Sequence, residues 1–417
     1  MKQLHEFTPV VENSEDDIFA SLDEYSDNRT NNIDFEDVDK SFIVLEHLIN
    51  TVEILKNKSQ VSQDDLALVR ICKEMAVIGT TSSIDQLLPS MESWSDSKIS
   101  VESVSDDIKT SIKKIIKYIG YIYKNELDRI EMGYRYFELQ SLVLARVKKQ
   151  IEASDKTSFT IRVKNSKYLR YDDNVIVKDI ATYIHKLEEV SEFCITYNSA
   201  GAELMHGDLL KSWKNLASVF LMPLLYDKVY MEYFNLLKNF VERVSSISSF
   251  NIVEHDSDIQ ILESPVYLGM SRCELSMPLH NTYSMGSVDS CRKVHKHFNI
   301  NFLREEKLEI TPLNETITFE NVTKKELLKI LSITDNIIKS YRKHLHPIVR
   351  ISKYSNIIVI SDAVWTAVIP FQWWKALLSN YRIMVRLSLI AFGMMDTSVI
   401  YSRGIAAKAL QLVRVAK

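Results

Sequence analysis

VSDDIKTSIKKIIKYIGYIYKNELDRIEMGYRYFELQSLVLARVKKQI, residues 104 to 151, holds no proline and a single apolar rhythm. Ile108, Ile112, Ile115, Ile116, Ile119 and Ile122 fall within an arc of about 120° when each residue turns the chain by about 100°. Lys109, Lys113, Lys114, Lys117 and Lys124 fall on the other side. The spacing therefore predicts one continuous amphipathic helix, about 103 to 150, with a core face and a cationic face. Ser103 followed by Asp106 reads as its N-terminal cap, and Asp106 and Asp107 suit the positive end of the helix dipole.

Upstream, the character of the chain inverts. Residues 1 to 102 carry 21 acidic and 8 basic side chains, a net charge of −13, and residues 103 to 417 carry 34 acidic and 43 basic, a net charge of +9. Such asymmetry points to oppositely charged partners, or to one segment masking the other. Within the acidic arm, SFIVLEHLINTVEILKN and DDLALVRICKEMAVIG are helix-patterned and predict a short hairpin. Between arm and body lies LLPSMESWSDSKISVES, residues 87 to 103. It contains Ser90-Met91-Glu92-Ser93 and Ser100-Val101-Glu102-Ser103, in a Ser- and Asp-rich stretch that reads as an extended linker.

Downstream, SFTIRVK (158–164) alternates in the two-residue period of a strand, and NVIVKD predicts a second short one. Helical periodicity resumes over about 179 to 197 and 206 to 248, the latter interrupted by Pro223. Residues 250 to 320 are turn-rich and β-leaning. Thr323 with Glu326 forms a capping box for a helix ending near 345, before Pro347. SNIIVISDAV predicts a strand, followed by two basic helices in QWWKALLSNYRIMVRLSLIAFGMMD and SRGIAAKALQLVRVA. The expected architecture is mainly α with minor β, long helices packed in bundle-like fashion beside a small sheet or insertion. Four units are read along the chain: the arm 1–102, a basic helical region 103–250, a β-leaning insertion 251–322 and a basic C-terminal helical region 323–417.

The chemistry that the sequence excludes is as informative. Nine glycines in 417 residues include no dinucleotide fingerprint and no phosphate-cradling loop. The longest apolar run near the C-terminus, LSLIAFGMM, is too short to span a bilayer, which needs roughly 18 to 20 residues. The acidic N-terminus offers no signal-peptide core, so synthesis in the cytoplasm is expected. Cys72, Cys194, Cys273 and Cys291 are too scattered for a disulfide framework. Cys291, His295 and His297 are the best metal-like cluster, but zinc needs three or four converging ligands and no nearby CxxC or HxxxH completes the set. No serine or cysteine sits in a nucleophile elbow. No catalytic residue, metal or cofactor is expected.

Several blocks in order resemble the internal head, or inner-body, virion proteins of giant phiKZ-like tailed phages and their relatives. They are ISVESVSDDIKTSIKKIIKYIGYIYK, YLRYDDNVIVKDIATYIHKLEEV, ESPVYLGMSRCELSMP, VTKKELLKILSITDNIIKSYRKHL and the terminal RGIAAKALQLVRVAK. The likeness extends over roughly residues 90 to 417. It implies a non-enzymatic structural protein of the capsid interior that lies with the packaged DNA and other head proteins, is ejected with the genome, and is matured by a head protease. It implies cleavage at Glu102–Ser103, with Glu92–Ser93 as the alternative and Glu203, after Gly201-Ala202, as a third site. A cut after Glu102 would discard −13 and leave a body of +9 suited to non-specific DNA contact through Lys109, Lys113, Lys114, Lys117 and Lys124. Two readings of other classes stand beside it: a helical scaffolding or adaptor protein, and a host-directed regulator or metal-dependent enzyme.

Overall fold

The computed structural model describes residues 35–77, 85–88, 100–164, 166–172, 175–204, 239–247, 250–255, 259–269, 271–278, 299–304, 316–352 and 371–416. They form a mainly helical protein with minor β structure. A hairpin of α1 (Phe35–Lys56) and α2 (Gln63–Val77) precedes α3 (Val101–Ala153), a helix of 53 residues and therefore about 80 Å long. Then come α4 (Ile180–Glu203), α5 (Lys324–Ser352) and α6 (Phe371–Arg414).

The last four helices make a bundle whose directions follow from the pairs that touch. Phe137 of α3 stacks on Tyr341 of α5 with ring centres 4.7 Å apart. Lys324, at the start of α5, donates to the Glu152 and Ser154 carbonyls at the end of α3, at 2.7 and 2.9 Å. These two helices are antiparallel. Glu188–Lys329 (2.8 Å) and Asn198–Ser340 (3.2 Å) set α4 parallel to α5. Gly133 against Val399, and Gln140 donating to the Arg403 carbonyl at 3.0 Å, set α3 parallel to α6.

Short antiparallel strands close the structure. β1 (Ser158–Lys164) pairs with β8 (Thr316–Thr323) from Ser158–Thr323 to Lys164–Thr316, which ties the end of α3 to the start of α5. Its alternation is as the sequence predicts, with Phe159, Ile161 and Val163 buried. β2 (Arg170–Tyr171) and β3 (Val175–Ile176) form a minimal ladder. β4 (Asn251–His255), β5 (Ile259–Glu263), β6 (Ser271–Pro278) and β7 (Asn299–Arg304) form a four-stranded antiparallel meander. Gly269, at φ +93°, turns the chain between Tyr168 and Tyr401, where a Cβ would be strained. Beside it, the Tyr401 hydroxyl donates to the Leu268 carbonyl at 2.6 Å.

Three expectations are corrected. α5 does not stop before Pro347 but runs on to Ser352, although proline cannot donate to the carbonyl four residues before it. The two C-terminal helices are one, α6: residues 397–401, expected to separate them, are helical, with Val399 and Tyr401 buried in the core and no proline to end the run. The long helix begins earlier than expected: its N-cap is Ser100, whose hydroxyl accepts the Ser103 N–H at 3.1 Å. The predicted strand at SNIIVISDAV, the helix around Pro223 over 205–238 and the cluster Cys291, His295, His297 lie outside the described residues.

One core unites the units read along the chain. Val38, Phe42, Leu45, Leu48 and Leu55 of α1 belong to the same buried cluster as Ile108, Ile112, Ile115, Ile116 and Ile119 of α3 and Val385 and Leu389 of α6. Helix α1 contacts both α3 and α6. The hairpin of the acidic arm is thus part of the folded body.

Candidate nucleic-acid interface

The isoleucine period does its work as predicted: Ile108, Ile115 and Ile119 are fully buried, and Ile122 packs partly covered against the core. With that face turned inward, the same helix must present its other side to water. Lys109, Lys113, Lys114, Lys117 and Lys124 are all exposed. From Lys109 to Lys124 the ridge extends about 22 Å along the axis, since each residue rises about 1.5 Å. Only Lys109 is engaged, by Asp106 at 2.8 Å; among the described residues no ion pair holds the other four. A row of cations on a rigid rod can follow a phosphate backbone without reading bases.

The hairpin leaves this ridge open. It covers the apolar side of α3, so the masking expected of the arm is not performed by residues 35–77. Residues 1 to 34, with nine acidic and two basic side chains, lie outside the described residues.

The C-terminal helix contributes less surface charge than its composition suggested. Arg403 is 9 % and Lys408 5 % exposed. The Arg403 guanidinium lies over the Tyr136 ring, and Lys408 donates to the Lys164 carbonyl at 3.3 Å and to Gln411 at 2.9 Å. Both cations are spent inside the bundle.

The expected cleavage positions separate. Glu102 and Ser103 are exposed but stand in the first turn of α3, not in an extended segment. Glu92 and Ser93 lie outside the described residues. Glu203 is at the end of α4, where Arg243 pairs with its carboxylate and buried Gly201 packs on Met395.

A buried polar cluster in the bundle was not anticipated. The Ser402 hydroxyl lies within hydrogen-bond distance of both the Tyr341 hydroxyl, at 2.7 Å, and the Cys194 sulfur, at 3.2 Å, and Tyr341 also bonds Ser398. Burial pushes the Cys194 thiol up to about 12, and likewise raises Tyr341 and Tyr197. A thiol so held is protonated and not a nucleophile. The cluster's groups satisfy one another across three helices, which is a structural role. Cys273 is buried too, its thiol likewise raised by burial, and no group of three metal-ligating side chains occurs among the described residues. No helix among the described residues is long and apolar enough to cross a membrane.

Compared with known protein families, with curated proteins and with solved structures, the chain matches none of them.

Proposed function

We propose that this is a non-enzymatic structural protein of a phage virion, lying with the packaged DNA inside the capsid and contacting it through the lysine ridge of α3. The observation that carries the DNA contact is the exposure of five lysines on one side of a helix whose isoleucines are buried on the other. The resemblance to internal head proteins supplies the setting. Contact through phosphates is sequence-independent, which suits a protein that must lie against any stretch of a genome.

Proteolytic maturation belongs to the same reading. The Ser- and Asp-rich linker remains the natural place for a head protease to act, with Glu92–Ser93 favoured over Glu102–Ser103, because a protease takes its substrate extended and the latter bond is helical.

The test is duplex-DNA binding by the full chain, read by fluorescence anisotropy as salt is raised from about 50 to about 200 mM, where affinity should fall steeply. Replacing Lys113, Lys114 and Lys117 together by Ala should flatten the slope of log affinity against log salt by roughly 2 to 3. Absence of binding at low salt, or a slope that the triple variant leaves alone, overturns the DNA contact. Peptides of this chain among the proteins of purified heads would test the setting separately.

A further inference from the structure

The outward strip of α3 changes chemistry half-way along its length. Beyond Lys124, the positions pointing the same way are Asp128, Met132, Arg135, Leu139, Leu142 and Arg146, within an arc of about 80° at about 100° per residue. Their spacing alternates four and three, the rhythm of a helix seam that receives another helix. Met132 is 41 %, Leu139 49 % and Leu142 70 % exposed, three of the large apolar side chains that the structure leaves most open to water. Helices α1, α5 and α6 pack against α3, and at the level of the strip Gly133 meets Val399, Phe137 stacks on Tyr341 and Gln140 reaches the Arg403 carbonyl on the other side of the helix, so the strip is not a gap in the core.

We propose that this strip is a self-association surface on which a second copy of the chain docks, α3 against α3, antiparallel about a twofold axis at the level of Phe137. The sequence of the strip is complementary to its own reverse. An axis at that level sets Asp128 opposite Arg146 of the second copy, Met132 opposite its Leu142, and Arg135 opposite its Leu139. Every contact is then repeated by symmetry, as an isologous interface requires. The ends match in charge, the intermediate positions match as apolar pairs, and at the centre the aliphatic stem of Arg135 covers leucine while its head stays in water with Glu131. Within one copy Asp128 and Arg146 stand 18 residues apart on a rigid helix, about 27 Å, and cannot reach each other. DNA does not fit this half of the helix, because phosphates gain nothing from three apolar side chains. The overlap of two helices buries less than the roughly 1,000 Å² of a permanent interface, so the dimer is concentration-dependent. The lysine ridges then point to opposite ends, their centres about 60 Å apart, each free to follow its own duplex.

The experiment is analytical ultracentrifugation of the full chain over a range of concentrations, with Leu142→Asp, Asp128→Arg, Arg146→Asp and the double swap Asp128→Arg/Arg146→Asp. These side chains are exposed, so the helical circular dichroism signal should be that of the parent in every variant. A reversible dimer is expected for the parent and a monomer for Leu142→Asp. Each single reversal should weaken dimerisation about tenfold, and the swap should return it to within about threefold of the parent. A parent that stays monomeric at the highest concentration, or a dimer indifferent to Leu142→Asp, overturns the surface. A swap no better than its single reversals overturns the antiparallel pairing.

Discussion

The guanidinium carbon of Arg403 lies 3.6 Å from the centre of the Tyr136 ring, a cation placed face-on against an aromatic at the seam of α3 and α6. Because Arg403 is 9 % exposed, the attraction acts where water screens it little. Arg403→Met keeps much of the volume and removes the charge, and should cost about 2 kcal/mol in urea unfolding. Tyr136→Leu should cost a similar amount. The double variant should fall short of the sum by about 1 kcal/mol or more, whereas strict additivity would mean that the ring and the cation do not act on each other.

Glycine at the helix contacts yields a ranking. A Cβ on Gly404 would run into the hydroxyl end of Tyr168, a rigid ring, whereas one on Gly201 would meet the Met395 sulfur at the far end of a flexible chain. Alanine gains about 1 kcal/mol of helix propensity at either place. For Gly201→Ala that gain offsets much of the readjustment of methionine. Gly404→Ala should still lose about 1 to 3 kcal/mol, as overpacked cores do. Equal melting temperatures for the two variants would contradict the packing described around Tyr168.

Glu126 should make the protein less stable as pH rises towards neutrality. It is 4 % exposed, and burial pushes its carboxyl up from the ordinary 4.5, with Arg129 opposing and Asp396 adding to the rise. Its second oxygen has no hydrogen-bond partner, while the first accepts from Arg129 at 2.7 Å. Between the unfolded value and the raised folded value the folded state holds more protons than the unfolded state. Stability contributed by this group therefore declines as pH climbs through that interval and is level above it. Glu126→Gln can still accept from Arg129 but carries no buried charge. It should raise the melting temperature at neutral pH, leave it nearly unchanged in acid, and remove this part of the pH slope. An unaltered slope would assign the acid behaviour to other groups.

How much of this was legible in the sequence can be judged from particular residues. The isoleucines of α3, the strand alternation at Phe159, Ile161 and Val163, and the capping box were readable, because each is a local pattern whose geometry is set within a few residues. In the box, the Thr323 N–H donates to Glu326 at 2.8 Å and the Glu326 N–H donates back to the Thr323 hydroxyl at 3.3 Å. Pro347 reads as a stop because its local cost is plain, and residues 397–401 read as a gap between two helices because the burial of Val399 and Tyr401 in the bundle depends on distant parts of the chain. Arg403 and Lys408 are legible only as part of a basic C-terminal composition, which does not say which side of a helix meets Tyr136 or the Lys164 carbonyl. The arm read as a separable tail for a similar reason: its charge is local, whereas the burial of Phe42 and Leu45 against α3 and α6 joins residues far apart in sequence.

That burial bears on cutting the chain between arm and body. Digestion of the native protein with a glutamate-specific protease should cut after Glu92 before it cuts after Glu102, because the Glu102–Ser103 bond must first leave the opening turn of α3. The turn is held by Ser100, whose hydroxyl takes the Ser103 N–H at 3.1 Å. Removing such a cap costs about 1 kcal/mol, so Ser100→Ala should multiply the open population, and with it the rate of cutting at Glu102, by about five. Neither cut should release the hairpin. Val38, Phe42, Leu45 and Leu48 stay buried in the common core, so the fragment carrying 35–77 should co-elute with the body on gel filtration and part from it only in denaturant. Ile115→Asp, which sets a charge in the fully buried stripe, should lower the melting temperature and loosen that fragment once the linker is cut. Prompt dissociation of the cut arm from the parent protein under native conditions would show that α1 does not hold the isoleucine face on its own, and would restore the arm to the role of a removable tail.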